Sequence, residues 1–224
     1  MILQDDLDYL RTHLDFWDKL QADQKSALES SVSTVTYAKG AELRSRDSEC
    51  LGVLLLKKGA LRAFIRSEDG REVTLYRLGP GELCIFSASC VLNSLHFDVS
   101  IDADEDTEAI RIHTGLFDRL VRENVWVENI SYKNAVEKFG DIMWAFEQVL
   151  FMRFDTRLAI FLLDESAKSP DALISATHDQ IAKYVGSARE VVSRMLKNFE
   201  SKKLVELSRG SIKVISREGL RTLL

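Results

Sequence analysis

The chain has 224 residues, of which 46% are hydrophobic and 29% charged, with a net charge of −5. That composition is ordinary for a globular protein, and the length suits one large domain or two modest ones. No apolar run approaches the roughly 20 residues that a bilayer-spanning helix needs, which excludes a helical membrane anchor.

The first ten residues are acidic and lack the basic start of a signal peptide, so a cytoplasmic location is the expectation. Cys50, Cys84 and Cys90 are odd in number and widely spaced. They make no disulfide framework, and the expected compartment is reducing. Charge is uneven along the chain. Residues 155–224 hold 12 Lys/Arg against 9 Asp/Glu, a net +3, while residues 1–154 carry −8. A basic tail on an acidic body fits a nucleic-acid module joined to something else.

Residues 1–30 place Leu7, Leu10, Leu14, Phe16, Trp17, Leu20 and Leu28 at helical spacing. One or two amphipathic helices are expected, with Asp23 capping the second. From Val32 to about Ile112 the pattern changes to short strands. Val53-Leu54-Leu55-Leu56 reads as a buried run, Lys57-Lys58-Gly59-Ala60 as a turn, and Leu61–Ile65 as the next strand. Glu68-Asp69-Gly70-Arg71 is a hairpin signal. Val73–Tyr76, Val99–Ala103 and Thr107–Ile112 are further strands, and Gly79-Pro80-Gly81 is another turn. Many short strands with regular turns predict a small antiparallel sandwich or barrel.

From Thr114 the helical period returns. Tyr132, Ala135, Phe139, Ile142, Phe146 and Val149 are spaced 3, 4, 3, 4, 3, an a/d heptad seam that Met143 and Leu150 broaden. Part of that face would pack on its own domain. The spacing favours a two-helix coiled coil and hence a symmetric homodimer. Asp155 reads as the cap of a helix over Thr156 to about Ala167, with Leu158, Ile160, Phe161 and Leu163 inward. Ser169-Pro170-Asp171 ends it.

Residues 177–200 then read as two short helices broken at Gly186. Ile181 and Val185 face inward on the first, and Val192, Met195 and Phe199 on the second. Arg189, Glu190, Ser193, Arg194 and Lys197 form the opposite face of the second helix. This is a helix-turn-helix with a polar reading face. Leu204–Leu207, the turn Ser208-Arg209-Gly210 and Ser211–Ile215 follow as a two-stranded wing. Ser216 caps a last short turn.

This layout resembles the bacterial cyclic-AMP receptor/fumarate-nitrate regulator (CRP/FNR) family over nearly the whole chain. The resemblance is strongest from Ile181 to Arg194, with its glycine turn, then Arg-Glu, then Arg. Lys58-Gly59-Ala60-Leu61 and Gly79-Pro80-Gly81-Glu82-Leu83 are similar to the glycine turns of the family's sensor. It implies an α+β protein with three parts. Residues 1–122 would form an antiparallel β-roll like the cyclic-nucleotide-binding jelly roll, with N-terminal helices. Residues 123–153 would be a dimerisation helix, and 154–224 a winged helix-turn-helix. The expected function is sequence-specific DNA binding as a homodimeric transcription regulator, not an enzyme. Its partners would be a two-fold double-stranded operator and, for an activator, RNA polymerase.

By that resemblance Arg189 would reach guanine O6/N7, Glu190 would accept from cytosine N4, and Arg194 would reach a second base edge, with Ser193 beside it. A half-site with a G·C-containing core, near TGTGA or TTGA, is implied. Thr177, His178, Lys197 and Arg209 are candidates for phosphate contacts, which position without specifying. Lys197 and Arg209 read equally as solvated surface.

The sensor departs from its cyclic-nucleotide-binding relatives. Their phosphate cassette begins Gly-Glu-Leu, kept here as Gly81-Glu82-Leu83, and ends in Arg followed by Ser or Thr. Here Phe97 and Asp98 stand at those two places. A buried phosphate needs a cation or several donors, so an effector other than cyclic AMP is expected. Gly81, Glu82, Leu83, Cys84, Phe97 and Asp98 are the candidate pocket residues.

Alternatives stay open: a redox, haem or metal sensor using Cys84 and Cys90 or His96 with His113, or an effector-independent DNA binder. No cysteine lies in residues 1–49, which excludes the N-terminal iron–sulfur ligation of the fumarate-nitrate branch. The acidic run Asp102, Asp104, Glu105, Asp106, Glu108 lacks EF-hand spacing and reads as a solvated hairpin tip. An enzyme on a cupin-like roll would need a convergent His/His/Glu set and would leave the C-terminal module unexplained. No catalytic triad, P-loop or Cys/His zinc spacing is present.

Overall fold

A computed structural model of the chain describes residues 4–44, 51–85 and 99–224. Close contacts divide it into two compact units, Met1–Phe64 with Leu75–Ile142, and Ile65–Thr74 with Met143–Leu224.

The first unit opens with α1 (Gln4–His13), a 3-10 turn at Trp17–Lys19 and α2 (Ala22–Ser31). Gln21, not Asp23, starts α2. Its side chain and that of Gln24 make a reciprocal capping box. Asp23 falls one turn position inside, where its charge still favours the helix N-terminus.

Eight strands follow: β1 (Ser33–Tyr37), β2 (Glu42–Arg44), β3 (Val53–Lys58), β4 (Leu61–Arg66), β5 (Glu72–Leu78), β6 (Leu83–Cys84), β7 (Ser100–Ala103) and β8 (Thr107–Ile112). They form two four-stranded sheets, ordered β1-β8-β3-β6 and β2-β7-β4-β5. Val53, Leu54, Leu55 and Leu56 are all fully buried, as a strand covered on both faces requires. Val53 and Leu55 join Ile110 and Ile112 beneath Leu10, Leu28, Phe117 and Leu120. Leu54 and Leu56, one residue out of phase, point to the other face. Gly59 turns β3 into β4 with φ of +80°, and a Cβ there would meet the Asp106 carbonyl at 2.4 Å. Only glycine fits.

Buried charge ties α1 to this sheet. The Asp6 carboxylate accepts from Thr34 Oγ1 at 2.6 Å and pairs with Lys57, which also meets Glu108. Those two carboxylates hold the Lys57 ammonium above its ordinary range despite partial burial. Then come α3 (Thr114–Glu123) and the long α4 (Val125–Phe151). Asn124 is buried and donates to the Lys19 carbonyl and to Gln24 Oε1, both at 3.0 Å. Its own Oδ1 accepts from Trp126 N–H at 3.0 Å and closes the start of α4.

In the second unit α4 is closed at its other end by Arg157. One guanidinium nitrogen donates to the carbonyls of Gln148, Val149 and Met152 at 3.1–3.3 Å, a cation on the negative end of a helix. Burial depresses this arginine. It stands in the first turn of α5 (Phe154–Ala167), whose cap position is Arg153, not Asp155. Leu158, Ala159 and Leu162 are the fully buried residues of α5, while Phe161 and Leu163 pack at the margin. Phe161 stacks on Tyr184 at 5.3 Å.

The unit ends with β9 (Leu173–Ile174), α6 (His178–Val185), α7 (Arg189–Ser201), β10 (Val205–Ser208), β11 (Ser211–Val214) and α8 (Arg217–Arg221). The wing has three strands rather than two, because Ile174 and Leu173 pair with Ile212 and Lys213. A two-residue strand after Pro170 carries no periodic signal. Ser216 caps α8 by accepting from Gly219 N–H at 3.0 Å. No helix of the described residues is long and apolar enough to cross a membrane.

Candidate DNA-reading site and sensor cavity

The helix-turn-helix is built on one apolar seam. Ile181, Ala182 and Val185 of α6 and Val192, Leu196 and Phe199 of α7 share a buried cluster with Leu158, Leu162 and Ile212. Leu196, not Met195, is the fully buried residue of that turn, and Met195 lies at the margin. Thr177 caps α6 in a reciprocal box with Gln180, its hydroxyl accepting from Gln180 N–H at 3.2 Å. Gly186 ends the helix in the left-handed region, at φ 61° and ψ 51°.

Because that seam takes one face of α7, the other is left to solvent. Arg189, Glu190, Arg194 and Lys197 are exposed along it, and Ser193 is half-buried between them. Arg189 and Glu190 occupy the first turn of α7, the end that enters a groove in helix-turn-helix docking. Arg189 Nη1 lies 3.6 Å from Asp179 Oδ2 of α6. Among the proposed phosphate contacts, Thr177 is exposed and His178 half-buried at the N-terminus of α6, whose partial positive charge attracts anions. Arg209 is exposed at the tip of the wing turn.

The β4–β5 hairpin tip belongs to this same unit and holds the last turn of α6. The Thr74 hydroxyl donates to the Lys183 carbonyl at 3.1 Å. The Lys183 ammonium pairs with Glu72 at 3.2 Å, and Glu72, itself buried, also takes Arg66 at 3.1 Å. Nothing in the sequence pattern ties residues 72–74 to a helix more than a hundred positions later.

In the first unit the Gly79–Glu82 turn is tightly made. Glu82 Oε2 accepts from Gly79 N–H at 2.7 Å, and Gly81 N–H donates to the Leu56 carbonyl at 2.9 Å. Gly81, Glu82 and Leu83 line a cavity of about 350 Å³ together with His13, Asn134 and Lys138. Lys138 is nearly buried and bonds Glu82 at 3.2 Å and Asp141 at 3.3 Å. Burial alone would depress it, but the two carboxylates more than offset that and raise it. Asn134 Oδ1 is buried with no hydrogen-bond partner. Cys84 is buried and unbridged in β6, opposite Leu54. Cys50, Cys90, His96, Phe97 and Asp98 lie outside the described residues. His113 starts α3, its ring accepting from Gly115 N–H at 3.2 Å.

Of the cavity's residues, His13, Asn134 and Lys138 escaped the sequence reading. Lys138 had a signal: it lies four before Ile142 and interrupts an otherwise apolar side of α4.

The chain matches two family models, the cyclic nucleotide-binding domain over residues 34–124 and the Crp-like helix-turn-helix domain over residues 156–223. A crystal structure of a CRP/FNR-family regulator from Eubacterium rectale is similar with a TM-score of 0.90 and 36% identity. The match covers 95% of this chain and 98% of that one. The cyclic AMP receptor protein of Thermus thermophilus is 28% identical over 160 residues, 71% of this chain and 73% of the relative. The c-di-GMP-responsive regulator CLP of Xanthomonas campestris shares the fold, with a TM-score of 0.70 at 18% identity over 88% of this chain and all of that one.

Proposed function

Since the chain belongs to the CRP/FNR family of DNA-binding transcription regulators, we propose that it is a homodimer reading a two-fold operator under the control of an effector other than cyclic AMP. The observation that carries this reading is the face of α7. Arg189, Glu190, Arg194 and Lys197 are exposed while Val192, Leu196 and Phe199 are buried behind them. Arginine pairs in two-pronged fashion with guanine O6/N7, and glutamate accepts from cytosine N4. Thr177, His178, Lys197 and Arg209 place the module on phosphates.

The dimer is supported by α4. Tyr132, Val136, Phe139, Met143, Phe146 and Leu150 are all exposed, between 36% and 69%, a row of apolar groups that a partner helix would cover. The working division is a sensor over residues 1–122, a dimer helix over 123–153 and a reading module over 154–224. For an activator, RNA polymerase is the further partner.

The effector reading rests on Phe97 and Asp98 replacing a phosphate-binding arginine and hydroxyl. It is supported by Lys138, whose charge is already matched by Glu82 and Asp141 and so is not free for a phosphate. Signal transmission would be a population shift, in which effector binding changes α4 packing and with it the spacing of two reading helices.

Arg189→Ala tests the reading face. Its cost should be about 1–3 kcal/mol in operator binding, with preference relaxed at one base pair per half-site. An unchanged base preference in the variant's footprint would sink the assignment.

A further inference from the structure

Arg189 does not stand alone on the reading face. Its guanidinium faces the carboxylate of Asp179, on the preceding helix, at 3.6 Å, and both side chains are open to solvent. Asp179 lies in the first turn of α6, beside Thr177 and Gln180, whose side chains are committed to capping one another. The Asp179 carboxylate is therefore not the cap, and an exposed ion pair of this kind adds little to stability. Its position is what matters. A carboxylate at a helix end that faces phosphates opposes DNA backbone binding, so a structure built only for affinity would not place one there.

We propose that Asp179 is a specificity-determining positioning residue, holding the Arg189 guanidinium in the orientation that meets guanine and penalising contacts to the phosphate backbone. The inference rests on the reading of Arg189 as a base contact. Guanidinium carries five N–H groups in a planar fork. Two can meet O6 and N7 of guanine while others face a carboxylate. A long side chain that is already oriented loses less freedom on binding. The same carboxylate repels phosphates wherever no guanine repays it. Specificity then comes from an attractive and a repulsive element together.

The test is competition binding of the full-length protein to its operator, to operators changed at single base pairs, and to unrelated DNA. Asp179→Asn keeps the shape and removes the charge. Discrimination at the base pair read by Arg189 should fall roughly three- to tenfold, less than the loss of the two-pronged contact itself, while other positions keep theirs. Binding to unrelated DNA should strengthen. Asp179→Glu, which restores the charge, should recover most of the discrimination. Unchanged discrimination in Asp179→Asn, alongside its loss in Arg189→Ala, overturns the proposal and leaves the base contact standing. Uniform weakening on every sequence also overturns it, since Asp179 would then serve only the stability of α6. If Arg189→Ala changes no base preference, the base contact itself falls and the proposal with it.

Discussion

Phe97 and Asp98 are two residues on which the identity of the signal turns. A buried phosphodiester needs charge-assisted donors, and this chain offers an aromatic ring and a carboxylate at those places in the cassette. The nearby cavity holds a lysine, Lys138, already engaged by two carboxylates. Calorimetric titration of the full-length protein with cyclic AMP should therefore show no tight, saturable binding; a strong saturable heat would contradict the residue-level argument. Lys138 and Asn134 were silent in the sequence because burial of a polar side chain depends on partners far away. Glu82 is 56 positions from Lys138, and only the fold joins them.

At the scale of elements, the turn between α6 and α7 sets the geometry of reading. Gly186 holds φ of +61°, and an added Cβ would come within 3.2 Å of Val149 Cγ2 and of Val73 Cγ2. Gly186→Ala should cost about 1–2 kcal/mol from the left-handed conformation alone, read as a lowered urea midpoint with an unchanged slope. Equal midpoints would show that the turn relaxes without strain. Gly186 was legible, as were the strands of the sensor and the apolar seam of the helix-turn-helix, since each carries its own local period. What periodicity could not supply was phase. Tyr132, Phe139 and Phe146 lie on the open face of α4 as the heptad predicts. Their companions there are Val136, Met143 and Leu150, however, while Ile142 is buried and Ala135 and Val149 are partly covered. Both sets recur every seven residues, and only packing chooses between them. Helix starts failed for a related reason. Asp23 and Asp155 are good capping residues, yet Gln21 and Arg153 hold the cap positions, since a carboxylate inside the first turn gains from the helix dipole as well. The strand β9 escaped because two residues make no pattern.

For the whole molecule, the account joins an acidic sensor to a basic reading module through one 27-residue helix, α4. A single α7 can read only one half-site. Two copies related by a two-fold axis read two, with centres about one helical turn or 10–10.5 base pairs apart. The symmetry of the preferred DNA is thus the signature of the proposed assembly and of the reading face at once. Selection of binding sites from a random duplex pool by the full-length protein measures it directly. The account predicts enrichment of an inverted repeat with that spacing and a G·C-containing core in each half. An enriched single, asymmetric site, or no enrichment over the starting pool, would contradict it.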